Sequence, residues 1–382
     1  MIGTLVVRRR ALAAFAAFAA AMALAAGAHG AEAAPRASAD AAVAATAPAN
    51  SVELPLAQQV ERAMKAYADA AIETFAASTS ARERWIGGMM LADKALRSGA
   101  SDEAAAALNA RAQSLFDSAR AQAGKDPTLL FWVMFDPPVR GQSDSQAMAE
   151  ARLAVLAELQ KLEPDNAVVW LASLPARDQP GSIPMAIEML ARAAAAKRFD
   201  THFAASMRAL LSAFGRVPLP IGWPDTRQLK GWEQVEAADV QVIMAVGVSS
   251  AMAMPYLVGL QWWCDGNSAE HPWLPDCRKL ARSMTERSDS IVPHSLALAL
   301  TGKLHGADSA EAARAQVQRR ELAWLIENGL QRVGPGQPVT FAEWRRAWMK
   351  PGATELSVSR AMLAAQGLPA TPPEDFVPAW DR

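Results

Sequence analysis

The chain is short of the residues and patterns that usually announce a chemistry. Charge of one sign is missing: 38 basic and 39 acidic residues nearly cancel, and no basic block stands out, so the electrostatic footprint of a nucleic-acid binder is absent. Histidine is scarce, with five in 382 residues, and none sits in an HExxH pattern that would hold zinc on one helix face. No P-loop and no G-x-G-x-x-G cradles a phosphate, and no G-x-S-x-G presents a nucleophilic serine. The lytic transglycosylase pattern is missing too. Nothing in the sequence calls for a cofactor. Runs of β-branched residues are few, and no turn dipeptide lies between alternating strands, which argues against a sheet. Only two cysteines, Cys264 and Cys277, occur.

What is present begins with an export signal. Arg8, Arg9 and Arg10 precede an uncharged run from Ala11 to Gly27, and small residues follow, with cleavage expected after Gly30 or Ala33. This is the layout of a secretory signal peptide, residues 1–33, and the run is short for a membrane span, with an uncleaved anchor as the alternative. No cysteine lies near the cleavage region, which excludes a lipid anchor there. Without Arg8, Arg9, Arg10 and Glu32 the mature chain has 35 basic and 38 acidic residues. Residues 34–50 hold alanine, proline and small polar residues and cannot bury enough surface to offset ordering entropy, so a disordered linker is expected. The mature protein is expected in the periplasm or outside the cell.

Abundant alanine, leucine and methionine favour helix throughout. Helix punctuation recurs: Pro55 opens a helix to about Ala77, "SARE" at Ser80–Glu83 fits a capping box, and Gly99 is a stop. Further helices are predicted at 102–123, from Pro127, at 144–161, 183–196 and 201–214, with a turn and cap at "EPDN" (163–166) and a loop at 136–143. "GRVPLPIGWPD" (215–225) cannot be helical throughout and separates a first region, 51–215, from a second, 226–367. The second is predicted to hold helices at 235–263, 275–287, 290–304, 309–328, 340–349 and 355–366, with a second capping box at "TFAE" (Thr340–Glu343). An extended tail, 368–382, follows, with Phe376 and Trp380 as its anchors. The expectation is an all-α protein of stacked antiparallel helical hairpins.

"DPTLLFW" (126–132) and "EPDNAVVW" (163–170) align at proline, 37 residues apart. With Trp170 as the helix A tryptophan, Ala186, Leu190 and Ala193 fall on the small–large–small positions of a helix B, and Trp132, 38 residues before Trp170, is expected to pack between repeats. In these residues the chain resembles the tetratricopeptide repeat family. The resemblance covers about 80–215 and is clearest over 165–198; Leu174, Arg177 and Arg198 depart from the family pattern. It implies an α-solenoid and binding of a protein or peptide segment.

In an exported chain the isolated pair Cys264 and Cys277 is expected as a disulfide joining the 235–263 helix to the 275–287 helix. The alternative is a metal site in which His271 joins Asp265, Glu270 or Asp276. The uncharged stretch 242–260 is expected as a buried helix, with membrane association as the alternative. Trp223, Trp232, Trp262, Trp263 and Trp273 cluster in sequence. They are expected as core wedges, but with Glu233, Glu236 and Asp265 they would also suit a polysaccharide-active enzyme in an α/α toroid. His294 and Ser295 are adjacent and point apart on a helix, so they form no base and nucleophile. The reading is an exported binding or scaffold module with no identified catalytic site.

Overall fold

The computed structural model describes residues 54–97, 102–134, 146–177, 179, 181–219, 221–229, 235–251, 256–265, 271–334 and 336–379. The expected signal segment, the linker 34–50, Gly99, the loop 136–143, Trp232, Glu233, Glu270 and Trp380 lie outside them. Among the described residues the protein is all-α, with fifteen α-helices and only isolated β-bridges.

The first eight helices are α1 (Leu56–Ala76), α2 (Ala81–Arg97), α3 (Asp102–Ala121), α4 (Pro127–Met134), α5 (Gln146–Leu162), α6 (Ala167–Leu171), α7 (Ser182–Ala195) and α8 (Phe203–Phe214). Pro55 stands at the N-cap of α1, whose buried stripe is Val60, Tyr67, Ala71, Ile72 and Phe75. The Tyr67 hydroxyl donates to the Phe214 carbonyl at 2.9 Å, tying α1 to the end of α8. Helices α2 and α3 pack along most of their length. They approach closely at Gly88, where a Cβ would lie 2.7 Å from the Phe116 ring. The short α4 and α6 are buried on every side, as expected of apolar helices without a polar face. The "EPDN" turn and cap forms: Asn166 accepts from the Val168 N–H.

Beyond 215–225 come α9 (Asp239–Ala251), α10 (Tyr256–Trp263), α11 (Leu274–Arg287), α12 (Ile291–His305), α13 (Ala310–Leu325), α14 (Phe341–Trp348) and α15 (Glu355–Ala365). The helix expected from 235 starts at Asp239, because the Asp239 carboxylate accepts the Glu236 N–H at 2.8 Å and closes a turn before it. Within the expected span, α9 and α10 lie on either side of residues 252–255, which are outside the described residues. Helix α13 continues as a π-helical turn, Ile326–Leu330. The capping box at Thr340 and Glu343 is present. Among the described residues no helix is long and apolar enough to cross a membrane.

Packing crosses the Pro-rich break. Helix α9 lies on α8 and α14, α11 on α7, and α10 on α6. One buried apolar cluster accordingly runs from Tyr67 to Met362. A smaller one gathers Ile291, Leu298, Ala315, Leu322, Trp324, Leu325 and Leu363. The tail is not extended throughout: the Phe376 N–H donates to the Pro373 carbonyl and makes a turn.

Candidate functional site

Three places gather chemically capable side chains. The first is a buried polar junction. The chain leaving α5 turns at Glu163–Asn166 and runs beside residues 198–200, where Arg198 N–H donates to Asp165 O at 2.9 Å and Ala167 N–H to Arg198 O at 3.0 Å. Asn166, with no exposure, spends its amide on the Glu163 carboxylate (3.0 Å) and the Asp200 carbonyl (2.9 Å), while its oxygen accepts the Asp200 N–H. This path delivers His202 in a left-handed conformation, φ 58°, rare for a residue with a side chain. Its Nε2 lies 2.9 Å from Glu163 Oε2, and its Nδ1 lies 3.4 Å from Thr128 Oγ1. Arg198 reaches the other Glu163 oxygen at 3.0 Å.

Burial opposes the charged form of both partners, yet their mutual attraction prevails. The imidazole holds the Glu163 carboxyl down at about 2 despite its desolvation, with Asn166 and Arg198 assisting. For His202, burial lowers the pKa, but the hydrogen bond to Glu163 and the charges of Asp200, Glu163 and Asp289 raise it on balance. Beside this pair, Asp289 accepts from Thr201 N–H, Thr201 Oγ–H and Ala204 N–H and so caps α8. Burial nevertheless pushes its carboxyl up, and the Asp200 charge adds to the rise. Glu355 accepts from Ser290 Oγ and Ile291 N–H and is likewise raised, chiefly by burial.

Thr128, His202 and Glu163 stand in the order hydroxyl, imidazole, carboxylate, the order of a proton relay. Each is less than one-tenth exposed, so the relay faces protein rather than a substrate. The arrangement is an ionic staple. Sequence reasoning placed Glu163 only in the 163–166 turn and assigned no role to His202, Thr128 or Asp289. The one available signal was histidine's rarity.

The second place surrounds the disulfide. Cys264 and Cys277 are bonded, with Cα atoms 5.6 Å apart, and both are fully buried. The pair joins the end of α10 to the first turn of α11, and such a bond fits an oxidising compartment. Trp263 and Trp273 meet edge to face at 5.4 Å. The Trp273 indole N–H donates to the Trp263 carbonyl at 2.8 Å, and that of Trp263 to the Pro175 carbonyl at 3.0 Å. His271, named above for the alternative metal site, stacks on Trp273 at 4.3 Å and lies 3.4 Å from Arg177. Arg177 also sits 5.8 Å over the Trp263 ring and 3.7 Å from Asp265.

Trp263 and Trp273 are therefore wedges inside the fold, whereas Trp262 is 48% exposed and Trp223 half-buried. Glu236 is exposed. His294 is half-buried on α12, and burial together with Arg360 holds its pKa down. Among the described residues no group of three or more His, Cys, Asp or Glu is placed to hold a metal.

The residues named from the repeat pattern are buried. Ala186, Leu190 and Ala193 form one fully buried stripe of α7. The two tryptophans differ in role. Trp132 donates to Ser206 Oγ at 2.7 Å and so ties α4 to α8. Trp170 donates to the Pro164 carbonyl and lies under the Arg192 guanidinium at 4.7 Å. Its helix, α6, has five residues against fourteen in α7, because Leu174-Pro175 ends it early.

The third place is open to solvent. A cleft of about 480 Å³ lies between the α1–α2 turn and α8. Ser78, Thr79 and Ser80 line one wall, Arg82 and Glu83 come from α2, and Ser212 and Arg216 from α8 and its end, over a floor of Ile86 and Ala209. Arg82 makes a two-pronged bond to Asp126, both contacts 2.6 Å, and Arg216 pairs with the buried Glu83. Burial works against the Asp126 carboxylate, but Arg82 brings its pKa below the usual range. The charges thus cancel within the cleft, leaving hydroxyls as the groups on offer. No histidine lines it, so none of these hydroxyls has an imidazole beside it to act as a base.

No family model, no curated protein and no solved structure matches the chain.

Proposed function

We propose that the protein is an exported helical binding module, of degenerate tetratricopeptide character over about 80–215, whose cleft between the α1–α2 turn and α8 holds a short polar peptide segment. One observation carries this reading: the cleft is walled by hydroxyls over an apolar floor, and its arginines are neutralised by their own carboxylates. A peptide backbone presents donors and acceptors in alternation, and a hydroxyl can answer either. The internal pairing removes the preference for a charged ligand, and the volume is that of an ordinary ligand site. The disulfide supports an oxidising compartment, and cleavage after Gly30 or Ala33 would deliver the chain there.

The test pans a displayed library of random dodecapeptides against the mature protein and titrates the enriched peptide by calorimetry. Ser212→Trp fills the cleft and is expected to weaken that peptide at least tenfold. Failure of any peptide to enrich, or equal affinity in Ser212→Trp, overturns the reading.

A further inference from the structure

The C-terminal tail lies on the face of α13 in the manner of a bound ligand. Arg320, Trp324 and Glu327, at positions i, i+4 and i+7, form one stripe that continues from α13 into the π-helical turn. The Arg320 guanidinium donates to three tail carbonyls, those of Pro373, Glu374 and Phe376. The Trp324 indole N–H donates to the Pro369 carbonyl at 2.9 Å, and the Ala379 N–H donates to Glu327 Oε1 at 2.7 Å. Two tail side chains go inward: Phe376 packs edge to face on Trp324 at 5.1 Å, and Pro378 is buried. Between α15 and these anchors, Pro369, Ala370 and Thr371 are exposed.

The division of labour is the informative feature. The body contributes side chains, and the tail contributes mainly backbone. A surface that reads carbonyls, one N–H, one aromatic ring and one proline accepts any segment that turns in the same way, as do the aromatic-lined grooves that recognise proline-rich peptides. π-helical turns are also frequent at functional sites.

We infer that the Arg320–Trp324–Glu327 face is a docking site for a partner segment in which prolines bracket an aromatic residue, as in Pro373–Pro378, and that the chain's own tail occupies it in cis. The site is separate from the cleft. Tethering gives the tail a high effective concentration, so the partner must compete with it, and the exposed residues 370 and 371, past the Pro369 carbonyl that Trp324 holds, let the rest of the tail leave without disturbing α15.

The experiment uses the full mature chain and a fluorescent synthetic peptide of residues 369–379. Wild type is expected to bind the peptide weakly. Phe376→Ala weakens the resident tail and is expected to raise peptide affinity at least tenfold, and adding Arg320→Ala removes the gain. Should Phe376→Ala unfold the chain, a protease site built into 369–371 frees the tail with every groove residue intact, and excess peptide then displaces it. A folded Phe376→Ala chain that binds no better than wild type, or a nicked chain that keeps its tail against a hundredfold excess of peptide, overturns the inference. A wild-type chain that dimerises on concentration, with peptide dissolving the dimer, assigns the face to a second copy and overturns the separate partner.

Discussion

The two ends of α11 are held by different chemistries. At its N-terminal end Cys277 is bonded to Cys264, and Trp273 meets Trp263 edge to face and stacks on His271. Past its C-terminal end, Asp289 binds Thr201 and Ala204, next to the His202–Glu163 pair, and Arg287 donates to the Lys197 carbonyl. A covalent bond acts largely by restricting the unfolded chain and is indifferent to moderate pH. The polar junction exists only in the folded protein and depends on the protonation of its members. One end tolerates imperfect packing around it, while the other requires every partner in place, since a half-satisfied buried network is worse than none.

The largest effect is expected at the polar end. His202→Ala leaves Glu163 and Thr128 buried without their imidazole and places alanine in a left-handed conformation. Breaking a buried pair from one side costs about 3–5 kcal/mol. Urea unfolding at pH 6 measures this, and a loss below about 1 kcal/mol would mean that the pair behaves like a surface ion pair. Removing the bond at the other end with Cys264→Ala and Cys277→Ala together is expected to cost about 3 kcal/mol for a loop of this length. That loss should be the same at pH 5 and pH 8; a pH-dependent loss would break the contrast between the two ends.

Glu163 has a depressed pKa, so its contribution is present above its ordinary value of 4.5 and is lost as pH falls from there toward about 2. His202 has a raised pKa, so its contribution is present below 6.5 and is lost as pH rises through the folded value. Asp289 and Glu355 are raised by burial and act in the opposite sense in acid, because protonation relieves them. The stability difference between wild type and Glu163→Gln isolates one carboxylate. It should shrink by on the order of 2 kcal/mol between pH 5 and pH 2; a constant difference would remove the His202–Glu163 coupling. The smallest effect is expected from Trp273→Phe, which keeps one aromatic ring but drops the pyrrole part of the indole and its N–H bond to the Trp263 carbonyl, at about 1–2 kcal/mol. A neutral result would leave the disulfide as the principal restraint at that end.

Legibility followed the range of each interaction. The caps at Asn166 and Thr340 act within three residues, and a motif such as "TFAE" states them outright. The disulfide was legible because a chain with two cysteines offers one pairing within itself. The core role of Trp263 and Trp273 was legible from the bulk of indole in an apolar setting, and burial in the structure bears it out. The cleft was not legible: Ser80 and Glu83 read as cap residues, and nothing local announces that Ser212 and Arg216 of α8 face them. Nor was the tail's turn, which Arg320 organises from more than fifty residues away.

The residue order alone determined that the chain is helical, where most helices begin and stop, and which two sulfurs join, because helix propensity and capping act over a few neighbouring residues. Only the packed molecule decided that Glu163 meets His202, 39 positions on, and that Asp289 meets Thr201 across 88. Alanine-rich helices offer many nearly equivalent apolar faces, so the choice among them, and with it every long-range polar contact, is made by the simultaneous fit of all the helices.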